Sequence, residues 1–516
     1  MLNTSLLSYG TFATTLSFPL LKFMAKPMDL KTLLKPIRVK KIQGGNFNPL
    51  IQNLALHSQC VQPGSLFFVV SGVQHNGADF IDEAVSRGAQ VIVTEKLFPH
   101  LHNVLQVQVS DVREAVSKIA KVFYGAPDTK LALTGVTGTS GKTTTTWLLR
   151  HIYKTAYGQS SGLLGGLHYD LGKRILPASQ TTPDALSLTS YLEEMVDANC
   201  SDAFMEVSSH GIDQKRVAAL EFNTAIFTNL STEHLDYHKS MEAYFETKKQ
   251  LFFQKNLKNA VINSDDPYGQ KLLNCLDKSV QVVTFGLNET ADIRAQNLEL
   301  SFEGTRFDCV TPQGIFSVTT KLLGKFNVYN CLAALATCYA QGMDLQQAVS
   351  SLASFQQVPG RLEKIKIATG AHVFVDFAHK PEALQNVLQT LRELTKKRLV
   401  VVFGCGGNRD RIKRPLMGQF AQQYADEIWI TSDNPRMESQ QQIFEDIRSG
   451  LRSSHTIHFV EDRAEAIRQA LEFCSEDDCL VIAGKGHEQY QEIGQQFYPF
   501  DDRKVVETYD QCLRLK

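Results

Sequence analysis

Gly138, Gly141, Lys142 and Thr143 fall within the stretch Leu131–Leu149, which reads LALTGVTGTSGKTTTTWLL. Glycines let successive backbone N–H groups turn toward one anion. A lysine placed after them reaches the terminal phosphates of a nucleotide, and the next hydroxyl ligates Mg²⁺. Gly138, Thr139, Ser140, Gly141, Lys142, Thr143 and Thr144 are therefore the candidate phosphate-holding residues. Such a loop has to be held between a strand and a helix, whose N-terminus adds the positive end of its dipole. The apolar run Leu131–Leu133 has strand character, and the segment after Thr143 has helical character. The strict P-loop spacing is not met. It asks for glycine where the chain has Val136, and the nearest glycines are Gly135 and Gly138. A plain strand-to-helix turn leaves the Lys-Thr pair unexplained, so nucleotide phosphate binding is expected.

Two more clusters bear on the chemistry. In AFMEVSSHGIDQKR, Glu206 ends an apolar run, where a lone buried carboxylate is costly unless it meets a cation. That cation is either Mg²⁺ beside the Thr143 hydroxyl or a structural lysine or arginine. FTNLSTEHLDYH then carries His234, Asp236 and His238, which read equally as a metal cluster or a solvated loop. Lys248, in YFETKKQLFF, reads by itself as an exposed helix lysine.

The positioning elements alternate between strands and helices, which predicts an α/β fold. Its 516 residues make about three domains the expectation. Residues 28–128 read as a small α/β unit with strands around Pro63–Gly72, 90–95 and Val104–Val109 and a helix over Val112–Tyr124. The central section, 129–358, has strand candidates at Leu131–Gly135, Ala203–Val207, Thr224–Thr228, Ala260–Asn263 and Val280–Phe285. A doubly wound, mostly parallel sheet follows, with ligands at the carboxyl ends of its strands. The polar clusters Gly135–Thr144, Glu206–His210, Asn229–His238 and Asn263–Asp266 all fall at such ends, which argues for one cleft. Residues 359–516 repeat the alternation, with strands His372–Asp376, Leu399–Gly404, Glu427–Thr431, Ile457–Val460 and Cys479–Ala483. Helices are expected after Pro381, Pro415, Ser439 and Asp462.

Composition narrows the class. With 43% hydrophobic and 21% charged residues the chain is of ordinary globular type. A formal net charge of −1 gives no reason to expect nucleic acid or an anionic membrane as partner. The ten cysteines include no CxxC pair, so neither a zinc site nor a disulfide framework is indicated, and a reducing cytoplasm fits. Residues 1–27 hold no acidic residue, and their apolar run is broken by Pro19 and Lys22. They are too short and interrupted to span a membrane and lack a basic region ahead of the run. They read as a disordered extension, or as a start assigned too early, with Met24 or Met28 as the true start.

GVTGTSGKTTT, TTPD, MEVSSHG, FTNLSTEHLDYH, YFETKK, VINSDD, GKFNVYNCLAA, VPGRLE, VDFAHKPEAL, VFGCGGNRDRIKRPLM, DNPR, AGKGHE and FDDR follow in order from about residue 50 to 505. The chain so resembles the Mur ligases. The resemblance implies an N-terminal domain for a UDP moiety, a central ATPase domain and a C-terminal Rossmann-like domain. It implies ATP as co-substrate, Mg²⁺ as cofactor, and a UDP-muramoyl-dipeptide and meso-diaminopimelate as small-molecule partners.

The site residues carry over by the same resemblance. Leu56, Ser58, Val73, Gln74 and His75 would line the uridine site; Thr181, Thr182, Ser208, Gln214 and Arg216 would hold the muramoyl-dipeptide. Thr143 and Glu206 would bind one Mg²⁺, and His234 with a carbamylated Lys248 a second. Lys142, Lys248, His234 and Glu206 would then be the catalytic set, while Asn330, Arg361, Asp376 and His379 position the nucleotide. Arg409, Asp433, Asn434, Pro435, Arg436, Gly484 and Glu488 would form the amino-acid pocket, Glu488 taking the distal ammonium. The chain departs from the family pattern at His57 and Gln59, where Asp and Arg are usual, at Glu233, where Asp is usual, and at Lys380, where a small hydroxyl residue is common. Two rival classes share the loop: a nucleotide switch or motor, and the folylpolyglutamate ligases.

Overall fold

The computed structural model describes residues 26–45, 48–72 and 76–515. The reading of residues 1–27 falls almost wholly outside them, as do Val73, Gln74 and His75.

Three main sheets organise the described chain. The first has five strands in the order Lys41–Gln43, Leu105–Gln108, Ala89–Thr94, Ser65–Phe68 and Asn53–Ala55. Only the Lys41–Gln43 edge is antiparallel. Helix Val112–Phe123 starts where the Asp111 carboxylate accepts from the Glu114 amide, an N-cap that satisfies one of the free donors of the first turn. Its Val112, Val116, Ile119 and Phe123 recur at helical spacing and pack on this sheet.

The central sheet has eleven strands. Those from Ser161–Leu164 through Asp202–Glu206, Ala132–Thr137, Thr224–Phe227, Asn259–Asn263 and Gln281–Gly286 to Ile293–Ser301 are mutually parallel. Antiparallel strands extend it at both ends. Helices Lys142–Tyr157 and Lys325–Ala340 cover one face, and Ala185–Asp197 and Met241–Lys249 pack on the other. Because the chain leaves Ala132–Thr137 toward Ser161–Leu164 on one side and later runs outward from Thr224–Phe227 on the other, the carboxyl end of Ala132–Thr137 lies at a topological switch point, where open α/β sheets bind ligands.

The antiparallel ribbon Ile293–Thr320 was not foreseen. Its period-two pattern is interrupted by a register shift between Gln296 and Glu299, where Asn297 takes a φ of 54°.

The third sheet has six strands, all parallel except Glu363–Ile365 at its edge. Its five expected strands are present, and Glu363–Ile365 adds a sixth. Helix Lys413–Tyr424 begins before Pro415 rather than after it, because a proline in the first turn needs no N–H partner. Leu323 joins the third core, so the end of the central section is anchored against the last unit.

Candidate active site

Strand Ala132–Thr137 ends in a turn made by Gly138 and Gly141, at φ 146° and 87°, values that favour glycine. Gly135 does different work: a Cβ there would lie 2.7 Å from the Phe222 ring, so it is a packing glycine within the strand. That explains the departure from P-loop spacing. The neighbouring strand end shapes the loop, since the Ser140 amide donates to Asn229 Oδ1 at 2.9 Å and Thr228 Oγ1 donates to the Ser140 carbonyl at 2.7 Å. Sequence reasoning placed Asn229 in a polar cluster of the cleft and Thr228 at the end of a strand, but gave neither a part in shaping the loop.

Lys142 opens helix Lys142–Tyr157 and folds back, its Nζ donating to the carbonyls of Gly138 at 2.8 Å and Thr139 at 2.9 Å. Burial, with Arg361 adding to it and Glu206 opposing, brings its ammonium down to about 8.

Glu206 is 2% exposed at the end of its strand and accepts the Gly166 amide at 2.9 Å. Among the described residues it forms no ion pair with lysine or arginine, so the structural-pair reading does not hold. Thr143 and Glu206 face the same cavity. A buried carboxylate with no salt-bridge partner among the described residues, lining one cavity with a hydroxyl, is a hard-oxygen donor set that fits Mg²⁺.

His234, Asp236 and His238 do not come together as a metal triad, and among the described residues no group of three or more His, Cys, Asp or Glu is set to hold an ion. The histidines form an aromatic cluster instead: the His234 ring lies 4.7 Å from that of His210, and His238 packs against Tyr244 at 5.1 Å. Burial, followed by the Lys142 and Lys248 charges, pushes His234 down to about 4, which leaves its imidazole neutral.

Lys248 is not the exposed helix residue its neighbours suggested. It is 1% exposed, its Nζ donates to the Gly138 carbonyl at 2.9 Å and stands 4.7 Å above the Tyr244 ring. Burial, then Lys142, holds it well below the usual lysine range.

The loop opens on a cavity of about 700 Å³, walled on one side by Lys142, Glu206 and His234 and on the other by Arg361, Asp376 and His379. Asp376 accepts the amides of Leu362 at 2.6 Å and Ala378 at 2.8 Å, and burial raises it against the pull of Arg361. Arg361 stacks on Phe377 at 4.9 Å, and His379 Nδ1 lies 2.8 Å from the Phe377 carbonyl. Asn330 also lines the cavity, its Nδ2 donating to Asn327.

From Glu206 a polar path continues outward. The Thr182 hydroxyl donates to the Glu206 carbonyl at 2.9 Å and lies 3.1 Å from Ser208 Oγ; Arg216 donates to the Thr182 carbonyl at 2.6 Å and to Gln214 Oε1 at 2.7 Å. Thr181 and Ser208 reach the cavity itself. Leu56 and Ser58 lie away from it on the first unit, and the Ser58 hydroxyl donates to Glu83 at 2.6 Å.

In the third unit, Asp433-Asn434-Pro435-Arg436 meets the loop after strand Cys479–Ala483. Buried Lys485 donates to Asn434 Oδ1 at 3.0 Å and to Glu488 Oε2 at 2.9 Å, and Asn434 Nδ2 donates to the same Glu488 oxygen at 3.0 Å. A Cβ on Gly484 would come within 2.7 Å of Asp433 Oδ2. Burial works against the Asp433 carboxylate, but Lys485 and Arg463 outweigh it and hold the group low. Arg409 is exposed on the adjacent loop.

Comparison with known proteins decides the family. Three family models match: the Mur ligase family catalytic domain over 50–124, the Mur ligase middle domain over 136–338, and the glutamate ligase domain of Mur ligases over 360–486. The chain belongs to the Mur ligase family. It is 43% identical over 487 residues to the UDP-N-acetylmuramoyl-L-alanyl-D-glutamate–2,6-diaminopimelate ligase of Geobacillus kaustophilus, covering 93% of this chain and 98% of that protein. A solved structure of a ligase of that same name is 34% identical, with a TM-score of 0.69, covering 95% of this chain and all of the other. The MurF ligase from Thermotoga maritima, solved in complex with ADP, shares the fold at 20% identity and a TM-score of 0.62, covering 90% of this chain and 98% of that one.

Within this Mur ligase the middle-domain match spans the loop, Glu206, His234, Lys248 and Asn330, whereas the last match stops at residue 486, short of Glu488. Two of the departures from the family pattern find each other: the Lys380 ammonium pairs with the Glu233 carboxylate across the cavity. No helix among the described residues is long and apolar enough to cross a membrane.

Proposed function

We propose that this Mur ligase joins meso-2,6-diaminopimelate to the D-glutamyl side-chain carboxylate of UDP-N-acetylmuramoyl-L-alanyl-D-glutamate, with ATP as co-substrate. With ATP and a UDP-linked acceptor, the reaction belongs to cytoplasmic peptidoglycan precursor synthesis. The observation that carries the choice of amino acid is Arg436, a half-buried guanidinium beside the Asn434 and Gly407 carbonyls, suited to a second carboxylate at the far end of the incoming amino acid. The near full-length likeness to the Geobacillus kaustophilus ligase supports the same reading.

In this reading residues 28–128 hold the uridine diphosphate through Leu56, Ser58, Val73, Gln74 and His75. Residues 129–358 hold ATP, and 359–516 hold the amino acid through Arg409, Asp433, Asn434, Pro435, Arg436, Gly484 and Glu488. Thr181, Thr182, Ser208, Gln214 and Arg216 take the muramoyl-dipeptide, whose carboxylate is brought toward Glu206 along the polar path.

The carboxylate oxygen attacks the γ-phosphorus of ATP, ADP leaves, and an acyl phosphate results. The amine of diaminopimelate then attacks the carbonyl carbon, the bond to phosphate breaks, and the amine loses a proton. Lys142, held over the loop mouth, neutralises charge on the transferring phosphoryl. Asn330, Arg361, Asp376 and His379 fix the nucleotide from the opposite wall. Thr143 with Glu206, and His234 with the Lys248 carbamate, would hold Mg²⁺, which would supply further neutralisation of the phosphoryl charge. The carbamate forms when the free-base Lys248 amine, a form that burial and then Lys142 favour, attacks CO₂ and releases a proton; the product is an anionic oxygen donor.

The test is phosphate release with UDP-muramoyl-dipeptide, with and without diaminopimelate, alongside mass detection of the UDP-tripeptide. Release that requires both substrates is expected. Sustained release without any amine points to a nucleotide switch, and glutamate addition to a folate points to a folylpolyglutamate ligase.

A further inference from the structure

The ribbon Ile293–Thr320 reaches beyond its own sheet. Its strands Ile293–Ser301 and Gly304–Thr311 are joined by the turn Phe302-Glu303, closed by the Ser301 hydroxyl donating to the Gly304 carbonyl at 3.1 Å. That turn leaves the central unit and packs on the core of the third. The Phe302 ring stacks on His372, with centroids 3.9 Å apart and planes 20° from parallel, and lies 5.9 Å from Phe374. His372 and Phe374 share one face of strand His372–Asp376, as alternate residues do. Strand Glu363–Ile365 pairs with it, and from there Lys364 Nζ donates to the Phe302 carbonyl and to Glu303 Oε1, each at 2.9 Å. One residue of the central unit is thus held by two strands of the third.

The same two strands carry one wall of the nucleotide cavity at their other ends. Arg361 stands just before Glu363–Ile365, and Asp376 ends its partner. The backbone binds these ends together: Asp376 accepts the Leu362 amide at 2.6 Å, and the Phe377 amide donates to the Gly360 carbonyl at 2.8 Å. Arg361 Nε is buried without a hydrogen-bond partner among the described residues, so this backbone and the Phe377 ring place the guanidinium. We propose that Phe302 is a positioning residue for the nucleotide, clamping the paired strands from the central unit and so setting Arg361 and Asp376 opposite the phosphate loop. The inference rests on the ATP reading above. A ligand held by both walls binds only the fraction of molecules whose walls stand at the working separation, and its apparent affinity falls with that fraction. Loss of the clamp therefore weakens ATP and spares the UDP-linked substrate, which the first and central units hold.

The experiment titrates full-length protein by calorimetry with the β,γ-methylene analogue of ATP in the presence of Mg²⁺, and separately with UDP-muramoyl-dipeptide. Wild type is compared with Phe302→Ala, His372→Ala, His372→Phe and the double alanine variant. Loss of an aromatic pair sets the scale, so Kd for the analogue rises about threefold to tenfold in either single alanine variant. The double variant is no weaker than Phe302→Ala, because the shared contact is already gone. His372→Phe keeps a stacked ring and stays within about twofold of wild type, as does Kd for the dipeptide in every variant. The fitted stoichiometry reports a misfolded fraction separately from Kd. If Phe302→Ala leaves no titratable fraction, Lys364→Met decides in its place, since it cuts the clamp from the third unit and removes no ring. Unchanged affinity for the analogue, or equal weakening of both ligands, overturns the proposal and leaves the ribbon tip as general support. A wild type that binds no analogue overturns the nucleotide reading itself.

Discussion

Lys380 and Glu233 meet on the same carboxylate oxygen that lies 3.0 Å from His234 Nε2. Lys380 precedes helix Pro381–Leu394 of the third unit, and Glu233 follows strand Thr224–Phe227 of the central sheet. The pair therefore spans the nucleotide cavity and joins its two walls, while the same carboxylate orients a histidine on one of them.

A double-mutant cycle measures that span. Lys380→Met and Glu233→Gln each should raise the KM for ATP, and the pair should show a coupling of about 0.5–3 kcal/mol in kcat/KM, as groups in direct contact do. Additive effects would mean that the two walls are held by other contacts.

Lys142→Ala should reduce kcat by on the order of 10²-fold or more, the effect of removing one preorganised charge from a transferring group. Its melting curve should stay close to wild type, since Lys142 bonds only to loop carbonyls. The wild-type lysine titrates near 8, so it is charged below that pH and neutral above it. Accordingly kcat/KM for ATP should fall as pH rises through about 8. A profile flat from pH 7 to about 9 would contradict this.

Lys248→Ala should be nearly inactive and partly rescued by short carboxylic acids, which restore an anionic oxygen at the place of the carbamate. With ¹³C-labelled bicarbonate, wild type should show a carbamate carbon resonance that the alanine variant lacks. An active alanine variant, or the same resonance in both, refutes the modification at this lysine.

Arg436→Ala should lower kcat/KM for diaminopimelate by about 10² to 10⁴, the range for losing two charge-assisted hydrogen bonds. Use of L-lysine should change far less, because lysine has no group for the guanidinium. The measurement is kcat/KM for both amino acids on both proteins, and parallel losses would assign Arg436 a purely structural part.

Much of the site is legible in order along the chain because its first determinants are local. A strand, a glycine turn and a Lys-Thr pair define the phosphate loop within one short stretch, and Glu206 announces itself as a charge at the end of an apolar run. The parallel strands of the second and third sheets are equally readable, since strands buried on both faces are continuously apolar. The ribbon Ile293–Thr320 escaped because a bulge breaks its alternation, and Lys248 read as exposed because its helix carries polar residues around it. The burial of Lys248 depends on the Gly138 carbonyl, and the charge states of His234 and Lys142 depend on what surrounds them. Glu233 with Lys380, and Arg436 with Glu492, are pairs between segments far apart in the chain. A residue's type announces the charge it can carry; which counter-charge it meets follows only from how separate sheets pack and which loop ends they bring face to face.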